Sequence, residues 1–400
     1  MLAWRSAPVK ISVCPFVALA SCLFYTAICH AGGNLPNPLA RGPYPVGVTT
    51  TVLVDTSRTD NITKRFRMLV TEIWYPATDE AFFLPKNRYS DFIPGGMTPQ
   101  IEKLLQQTYK KSGFEIDALF WNHAVRDARV REGKFPLIIF SHGNGGTRSQ
   151  NTFWCDTLAS HGYVIVSADH TGNARMTILD GKAVLFQPSE RQNSAADRPK
   201  DMVFLLDEMT RWNNGADSRF AAKIDLSAVA AAGMSFGSYT AFRLVDTEPR
   251  FKAVIGMTGA SPEHTNLAIP ALAMIGTEDR TIGPKGNEGV HSYLEKHRGP
   301  AYLFELKNGG HYSFTDMFKI NENFGDGVGK GTRMGTNETF EFTSMERAYE
   351  AINSVSVAFC GVYLKGEKGY LPFLLANHWP DDLLWVVKGV AEATATDSAR

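Results

Sequence analysis

The stretch "VAAAGMSFGSYTAF", residues 229–242, runs from small apolar residues through a serine between two glycines into a segment that favours a helix. The first part is typical of a buried strand and the last part of an amphipathic helix. The pattern "GMSFG" (233–237) occurs by chance too often to identify a reactive serine on its own. The rest of the chain therefore decides whether Ser235 reacts or only occupies a turn.

Apolar runs of strand length alternate with helical segments from Phe135 onward. This alternation predicts an α/β fold with a mainly parallel central sheet and helices on both faces. Two earlier runs, 48–57 and 67–77, predict a pair of antiparallel strands. The later strands are predicted at 135–141, 162–169, 228–235, 251–259, 270–277 and 301–307.

Residues 78–134 form an insertion before the third predicted strand. Ile101, Leu104, Leu105 and Tyr109 recur at helical spacing within it. We expect the insertion to pack over the main body, as a cap over a binding site or as structural filler. A last helix is predicted at 344–364, after a Gly-rich polar loop at 321–337. Residues 32–390 are predicted to form one domain, followed by a disordered tail at 391–400.

The first 31 residues have the pattern of a leader sequence. Arg5 and Lys10 precede an apolar stretch from Ile11 to Ile28, and small residues follow near Ala31. This pattern predicts a signal peptide over residues 1–31, and therefore a secreted or periplasmic protein. A single-pass membrane anchor and a lipoprotein attached through Cys22 are the alternatives.

Charge excludes one class of partner. The chain has 41 Lys and Arg against 41 Asp and Glu, so its formal net charge is zero. A nucleic-acid-binding protein usually carries a basic excess, so we expect no nucleic-acid partner.

The position of Ser235 at a predicted strand-to-helix switch is that of a nucleophile elbow. Such a turn forces the serine into a strained backbone conformation and brings the strand and the helix very close together. Side chains at Gly233 and Gly237 would then collide with their neighbours. The two glycines therefore favour a reactive serine over an ordinary turn.

A serine needs a base to accept its proton and an acid to orient that base. His311 follows the strand at 301–307, and Glu278 and Asp279 follow the strand at 270–277. The chain order Ser, Asp, His is that of α/β-hydrolases, which favours His311 as base and Asp279, rather than Glu278, as acid. His170 also follows a strand, but it precedes Ser235 and breaks this order.

The segment "IIFSHGNGG" (138–146) resembles a loop that binds a developing oxyanion. Backbone N–H groups usually supply the donors, and here they would come from Asn144 and Phe236. His142 would then have a structural role.

Six motifs together resemble a known family. They are "GPYPVG", "EIWYPA", "FSHGNGG", "SADHTGN", "GMSFGS" and "GHYSFTD". They are similar to the dienelactone-hydrolase-like serine esterases and the secreted platelet-activating-factor acetylhydrolases, and more distantly to bacterial polyester-cleaving cutinases. The resemblance covers roughly Gly42 to Met317, and the 78–134 insertion and the 321–337 loop depart from it.

The resemblance implies the α/β-hydrolase fold, a triad of Ser235, Asp279 and His311, and an oxyanion hole at Asn144 and Phe236. It implies no cofactor and no metal. In this fold the helices that carry Cys155 and Cys360 pack on the same face of the sheet. A disulfide between these two cysteines is therefore expected, and two buried free cysteines are the alternative.

The leading hypothesis is a secreted serine carboxylic ester hydrolase. The resemblance favours short-chain acyl esters, or phospholipids with a short acyl chain, as substrates, and transient contact with a membrane or polymer surface would follow. A cutinase-like polyester hydrolase is the second hypothesis. A catalytically silent binding protein on the same fold is the third.

Overall fold

The computed structural model describes residues 35–120, 122–260, 268–316 and 325–390. The predicted signal peptide with Cys22 and the predicted disordered tail lie outside these residues. Within the described ranges, every helix is too short or too polar to cross a bilayer.

The secondary structure alternates between strands and helices. The strands are β1 (Val46–Thr59), β2 (Phe66–Pro76), β3 (Ala124–Arg126), β4 (Phe135–Ser141), β5 (Val164–Ala168), β6 (Met176–Leu179), β7 (Lys182–Leu185), β8 (Ile224–Met234), β9 (Phe251–Met257), β10 (Ala271–Gly276), β11 (Ala301–Leu306), β12 (Lys330–Thr332), β13 (Thr339–Glu341) and β14 (Leu383–Lys388). The helices are α1 (Pro99–Tyr109), α2 (Gly113–Leu119), α3 (Thr152–Ser160), α4 (Arg191–Arg211), α5 (Phe236–Leu244), α6 (Gly283–Lys296), α7 (Met345–Leu364) and α8 (Leu371–Leu375).

The central sheet has 10 strands in the order β14-β11-β10-β9-β8-β4-β5-β2-β1-β3. The six strands from β11 to β5 in this order run parallel, whereas β1 and β2 pair antiparallel and β14 pairs antiparallel with β11. The predicted mainly parallel sheet is therefore confirmed. Because parallel strands end at the same edge, the loops after β4, β8, β10 and β11 are brought together there.

Two apolar layers cover the faces of the sheet. Ala230 and Ala232 of β8 face the layer that contains α3 and α7. Val229 and Ala231 of the same strand face the layer that contains α4, α5 and α6. This alternation arises because successive side chains of a strand point to opposite faces. Both layers are buried, which explains why β8 reads as a continuous apolar run.

The predicted insertion contains α1 and α2. Ile101 and Leu105 of α1 are buried, together with Ile116 of α2. They form a small apolar cluster that also includes Ile178 of β6. The helical pattern in this segment was therefore interpreted correctly. Its function as a cap stays a prediction.

Several elements lacked a clear sequence signal. The hairpin of β6 and β7 has strands of four residues, too short to establish a period. The Gly-rich loop contains β12, which pairs with β13. Strand β14 lies at the edge of the sheet and is half exposed.

The expected disulfide between Cys155 and Cys360 is not formed, and both cysteines are free and buried. Their helices, α3 and α7, do pack together, and Trp154 Nε1 donates to Ser356 Oγ at 2.8 Å. Both thiols belong to the apolar layer between the helices and the sheet. Burial raises the pKa of each thiol. The two residues therefore act as small apolar side chains, and the disulfide prediction was wrong.

Candidate active site

Ser235 lies between the end of β8 and the start of α5, with φ 55° and ψ −118°. A positive φ is uncommon for a residue with a side chain and stores strain. The conformation is held on one side by the Ser235 N–H, which donates to the Met257 carbonyl at 2.7 Å. The turn thus has the geometry of a nucleophile elbow.

The glycines on either side permit this turn. A Cβ added to Gly233 would lie 2.2 Å from the carbonyl oxygen of Gly237. A Cβ added to Gly237 would lie 1.8 Å from the carbonyl oxygen of Ser141. Both contacts are with backbone atoms that no side-chain rotation can relieve. The strand, the helix and the β4 loop can therefore approach this closely only with glycine at both positions.

Asp279 and His311 are in contact at the ends of β10 and β11. The Nδ1 of His311 lies 2.8 Å from Asp279 Oδ2, and both side chains are almost completely buried. The other oxygen of Asp279 accepts the N–H groups of Thr281 at 2.9 Å and Ile282 at 3.0 Å. The carboxylate is therefore fixed, and its contact assigns the proton of the imidazole to Nδ1.

Glu278, the alternative acid, points elsewhere. Its carboxylate accepts from Arg333 Nη1 at 2.9 Å, whereas the carboxylate beside His311 Nδ1 is that of Asp279. The geometry thus brings Asp279, and not Glu278, to the histidine.

A buried aspartate in the Gly-rich loop links the loops of the acid and the histidine. Asp326 Oδ1 accepts the N–H of His311 at 2.9 Å and that of Arg280 at 3.2 Å. Its Oδ2 accepts from Thr281 Oγ1 at 2.8 Å. One carboxylate therefore fixes the acid loop and the histidine loop relative to each other. Asp326 was not predicted from the sequence, because nothing in the pattern "GDG" distinguishes a buried aspartate from a solvated one.

Asn144 lies in the loop after β4. Its side-chain oxygen accepts from Asn173 Nδ2 at 2.9 Å. The N–H groups of the neighbouring Gly143 and Gly145 donate to Gln150 Oε1 and to the Asn173 carbonyl. Within the described part of the chain, no such acceptor lies at the N–H of Asn144 or of Phe236. These are the two groups predicted to receive an oxyanion.

Arg198 of α4 stabilises the loop after β4 through hydrogen bonds. Its guanidinium is buried and donates to the carbonyls of His142 at 2.5 Å and Gly143 at 3.1 Å. It also donates to Asn173 Oδ1 at 3.1 Å and lies 4.6 Å from the centre of the Phe236 ring. Burial, with the charge of Arg67 nearby, lowers the pKa of Arg198 to about 9, against the attraction of Asp201.

Arg198 was not predicted as a site residue, although the sequence contains one signal for it. It falls on the buried stripe of α4 with Met202, Leu205 and Met209. A charged residue at helical spacing with apolar ones requires buried partners, but the sequence does not say which.

His142 is buried beside Arg198. Its Nε2 accepts the N–H of His170 at 3.1 Å, and its Nδ1 donates to the carbonyl of Gly143 at 2.6 Å. Burial and then the charge of Arg198 hold its pKa well below the usual value. A neutral histidine with both nitrogens engaged braces the loop, as its predicted structural role requires.

His170, the rival base, is part of a second serine-histidine-aspartate array. Its Nε2 lies 2.8 Å from Ser141 Oγ, and its Nδ1 lies 2.9 Å from Asp201 Oδ2. All three side chains are buried, and none lines any described cavity. Ser141 also accepts from Arg198 at 3.0 Å. A substrate has no access to this array, so its contacts are structural.

A cavity of about 810 Å³ opens at the site. Ser235, Phe236 and Asn144 line it, as do Thr281 and Ile282, whose N–H groups hold Asp279. The cavity therefore joins the elbow, the β4 loop and the acid loop. Its size is within the range of ligand-binding pockets.

Thr258 also lines the cavity in an unusual conformation. It has φ 55° although it is β-branched, and its buried Oγ1 has no partner among the described residues. Strain of this kind concentrates at functional sites. Among all the described residues, no group of three His, Cys, Asp or Glu side chains has the arrangement of a metal site.

The chain is similar to known esterases in sequence and in fold. Residues 124–325 match the family described as PET hydrolase-like, and residues 31–191 match platelet-activating factor acetylhydrolase, isoform II. The platelet-activating factor acetylhydrolase of Cavia porcellus is 22% identical over 374 residues, which are 84% of this chain and 80% of that protein. Cutinase est1 of Thermobifida alba is 29% identical over 186 residues, which are 45% of this chain and 54% of the cutinase.

A solved structure shares the fold. The ferulic acid esterase from Streptomyces cinnamoneus superposes with a TM-score of 0.64 at 24% identity, covering 81% of this chain and 91% of the esterase. The expected resemblance to α/β-hydrolase serine esterases is confirmed. The PET hydrolase-like match spans half of the sequence. The chain therefore belongs to the PET hydrolase-like family and is a carboxylic ester hydrolase with the α/β-hydrolase fold.

Proposed function

We propose that this protein is a secreted serine hydrolase of carboxylic esters that works through an acyl-enzyme intermediate. Ser235 is the nucleophile, His311 the general base and acid, and Asp279 the residue that orients the imidazole. The backbone N–H groups of Asn144 and Phe236 stabilise the oxyanion.

The reaction has two halves. The Oγ of Ser235 attacks the ester carbonyl carbon while its proton passes to Nε2 of His311. The tetrahedral oxyanion collapses, the alcohol leaves with the proton from Nε2, and the acyl group remains on Ser235. Water then attacks this acyl group with the same proton transfers, and the acid is released.

One observation carries the proposal: Ser235 lines the cavity in the strained elbow conformation, at the sheet edge where Asp279 contacts His311 at 2.8 Å. Strain at a buried structural serine would have no evident use, whereas an elbow exposes the hydroxyl to a substrate. The unengaged N–H groups of Asn144 and Phe236 on the same cavity support an acyl-transfer reaction.

Short-chain acyl esters, or phospholipids with a short acyl chain, are the proposed substrates. The similarity to the Cavia porcellus platelet-activating factor acetylhydrolase supports this class, because that match covers 84% of the chain. The exposed rings of Phe83 and Phe114 in the insertion suit contact with a lipid or polymer surface.

Polyester hydrolysis is the second candidate. The PET hydrolase-like family and the Thermobifida alba cutinase favour it. The cutinase match covers less than half of this chain, and for that reason we rank it second.

Secretion rests on the leader and on the relatives. The acetylhydrolase family match begins at residue 31, where the predicted signal peptide ends. Determination of the N-terminal residue of the protein recovered outside the cytoplasm tests this part. A start near residue 32 is expected, and retention of the leader would contradict it.

Hydrolysis of 4-nitrophenyl acetate tests the mechanism. Ser235→Ala and His311→Ala should each lower kcat by about a thousandfold or more, since triad members act as a unit. Ser227→Ala at an exposed position and His291→Ala at a half-exposed position of α6 are matched controls, and both should retain full activity. Persistence of most activity in either triad variant would show that these roles are misassigned.

A further inference from the structure

The described residues that line the catalytic cavity carry an uneven charge. Arg191 lines the cavity, and no Asp or Glu is among the described residues that line it. Arg191 is the first residue of α4, and its side chain is exposed. Its guanidinium carbon lies 5.8 Å from the centre of the Phe236 ring. The charge is thus placed beside the residue that follows the nucleophile.

The Arg191 side chain also has no hydrogen-bond or ion-pair partner among the described residues, in contrast to other arginines around the site. Arg198 is engaged by carbonyl groups, and Arg333 pairs with Glu278. The neighbouring Glu190 does not line the cavity, and its carboxylate accepts from Asn193 Nδ2 at 2.8 Å. The positive charge of Arg191 is therefore available to a ligand.

Two further polar side chains line the same part of the cavity. Ser189 and Gln192 flank Arg191 on the cavity wall, and both can donate hydrogen bonds. A guanidinium with neighbouring hydroxyl and amide donors matches the oxygens of a carboxylate or a phosphate.

We propose that Arg191, with Ser189 and Gln192, forms a subsite for an anionic oxyacid group carried by the ester substrate. This inference rests on the proposed function of the same cavity and narrows its substrate class. The preferred ester bears a carboxylate or phosphate away from the scissile bond. A wholly neutral ester is hydrolysed by the same machinery but bound less well.

Matched ester pairs test the subsite on the purified protein. Mono-4-nitrophenyl adipate against 4-nitrophenyl hexanoate places the charge on the acyl side. The pair 4-acetoxybenzoate and 4-acetoxybenzamide places it on the leaving group. Dihexanoyl phosphatidic acid against dihexanoylglycerol tests phosphate. The measured quantity is the ratio of kcat/KM for the anionic ester to that for its neutral partner.

Wild-type protein should favour the anionic member of at least one pair. Arg191→Gln should lower that ratio about fivefold, the value of a solvent-exposed ion pair, mainly through KM. Arg191→Glu should lower it about twentyfold, since repulsion replaces attraction. The wild-type preference should also fall when salt is raised from 0.1 M to 1 M, as the Debye length shortens from about 10 Å to about 3 Å.

Lys103→Gln is the matched control. Lys103 is an exposed residue of α1 that does not line the cavity. Lys103→Gln changes the net charge by the same amount as Arg191→Gln and should leave every ratio unchanged. The pair that responds identifies the source of the anionic group.

The subsite would be overturned by one result: the neutral esters are hydrolysed, but Arg191→Gln and Arg191→Glu leave the ratios of all three pairs unchanged. Failure of the proposed function looks different, because wild-type protein would then hydrolyse neither member of any pair.

Discussion

Replacement of Arg198 by lysine tests how the oxyanion loop is held. The guanidinium donates to two consecutive carbonyls of that loop, at 2.5 Å and 3.1 Å, and to Ser141 Oγ at 3.0 Å. A lysine keeps the charge but has no planar fork that can serve both carbonyls at once. The loop should then relax, and the N–H of Asn144 should shift relative to the oxyanion.

The expected cost follows from that shift. Loss of one oxyanion donor lowers kcat by about a hundred- to a thousandfold. We therefore expect Arg198→Lys to lower kcat about a hundredfold, or about 2.7 kcal/mol in the activation free energy. KM should change by less than about threefold, because the donors act on the transition state rather than on the bound ester.

Steady-state hydrolysis of 4-nitrophenyl acetate, well below the midpoint of thermal unfolding, measures both constants. Arg67→Lys is the matched control, since Arg67 is also a buried arginine but binds Asp60 and Asp201 instead of the loop. It should lower the melting temperature with little change in kcat. Equal losses of kcat in the two variants, or an unchanged kcat in folded Arg198→Lys, would refute the reasoning.

Three further predictions concern the acid, the loop brace and pH. Asp279→Asn should lower kcat by about 10⁴-fold by favouring the wrong imidazole tautomer, whereas Glu278→Gln should retain most activity; the reverse order in the same assay would exchange their roles. Asp326→Ala should lower kcat about tenfold or more through loss of three hydrogen bonds, while Asp326→Asn, which keeps an oxygen for the His311 N–H, should recover much of it; equal activity of the two variants contradicts positioning by Asp326. Burial, and next the charge of Arg198, lowers the pKa of His170 to about 4, so its neutral form is favoured on folding. The contribution of neutral His170 to the free energy of unfolding is complete above a pH of about 6.5 and should fall by about 3 kcal/mol as the pH drops to about 4. Chemical denaturation of wild type and His170→Gln at a series of pH values measures this contribution. The same dependence of the unfolding free energy on pH in both proteins would contradict it.

Much of the fold could be predicted because its strands are buried on both faces. The run "VAAAGM" in β8 has no polar residue to obscure it, and Ala230 and Val229 face different layers of helices. The half-exposed β14 and the short β6 and β7 gave no comparable signal. A sequence pattern reports burial, so elements with little burial escape it.

The candidate site divides in the same way. Ser235 and the glycines at 233 and 237 were identifiable because the elbow places local steric demands on the sequence. Asp326 and Arg198 act through long-range contacts with loops that are distant in the chain. No local pattern encodes such partners. The cysteine pairing failed for a related reason: packing of α3 against α7 was expected, but helix packing alone does not fix the separation or direction of two thiols.

Labelling with a fluorophosphonate probe tests the central claim most directly, because such probes react with an activated serine and spare an ordinary one. Folded wild-type protein should acquire one adduct, located on Ser235 by peptide mass spectrometry. Ser235→Ala and denatured wild type should acquire none. Folded wild-type protein that stays unlabelled, or that carries its adduct on another serine such as Ser141, would contradict the assignment of Ser235 as the nucleophile.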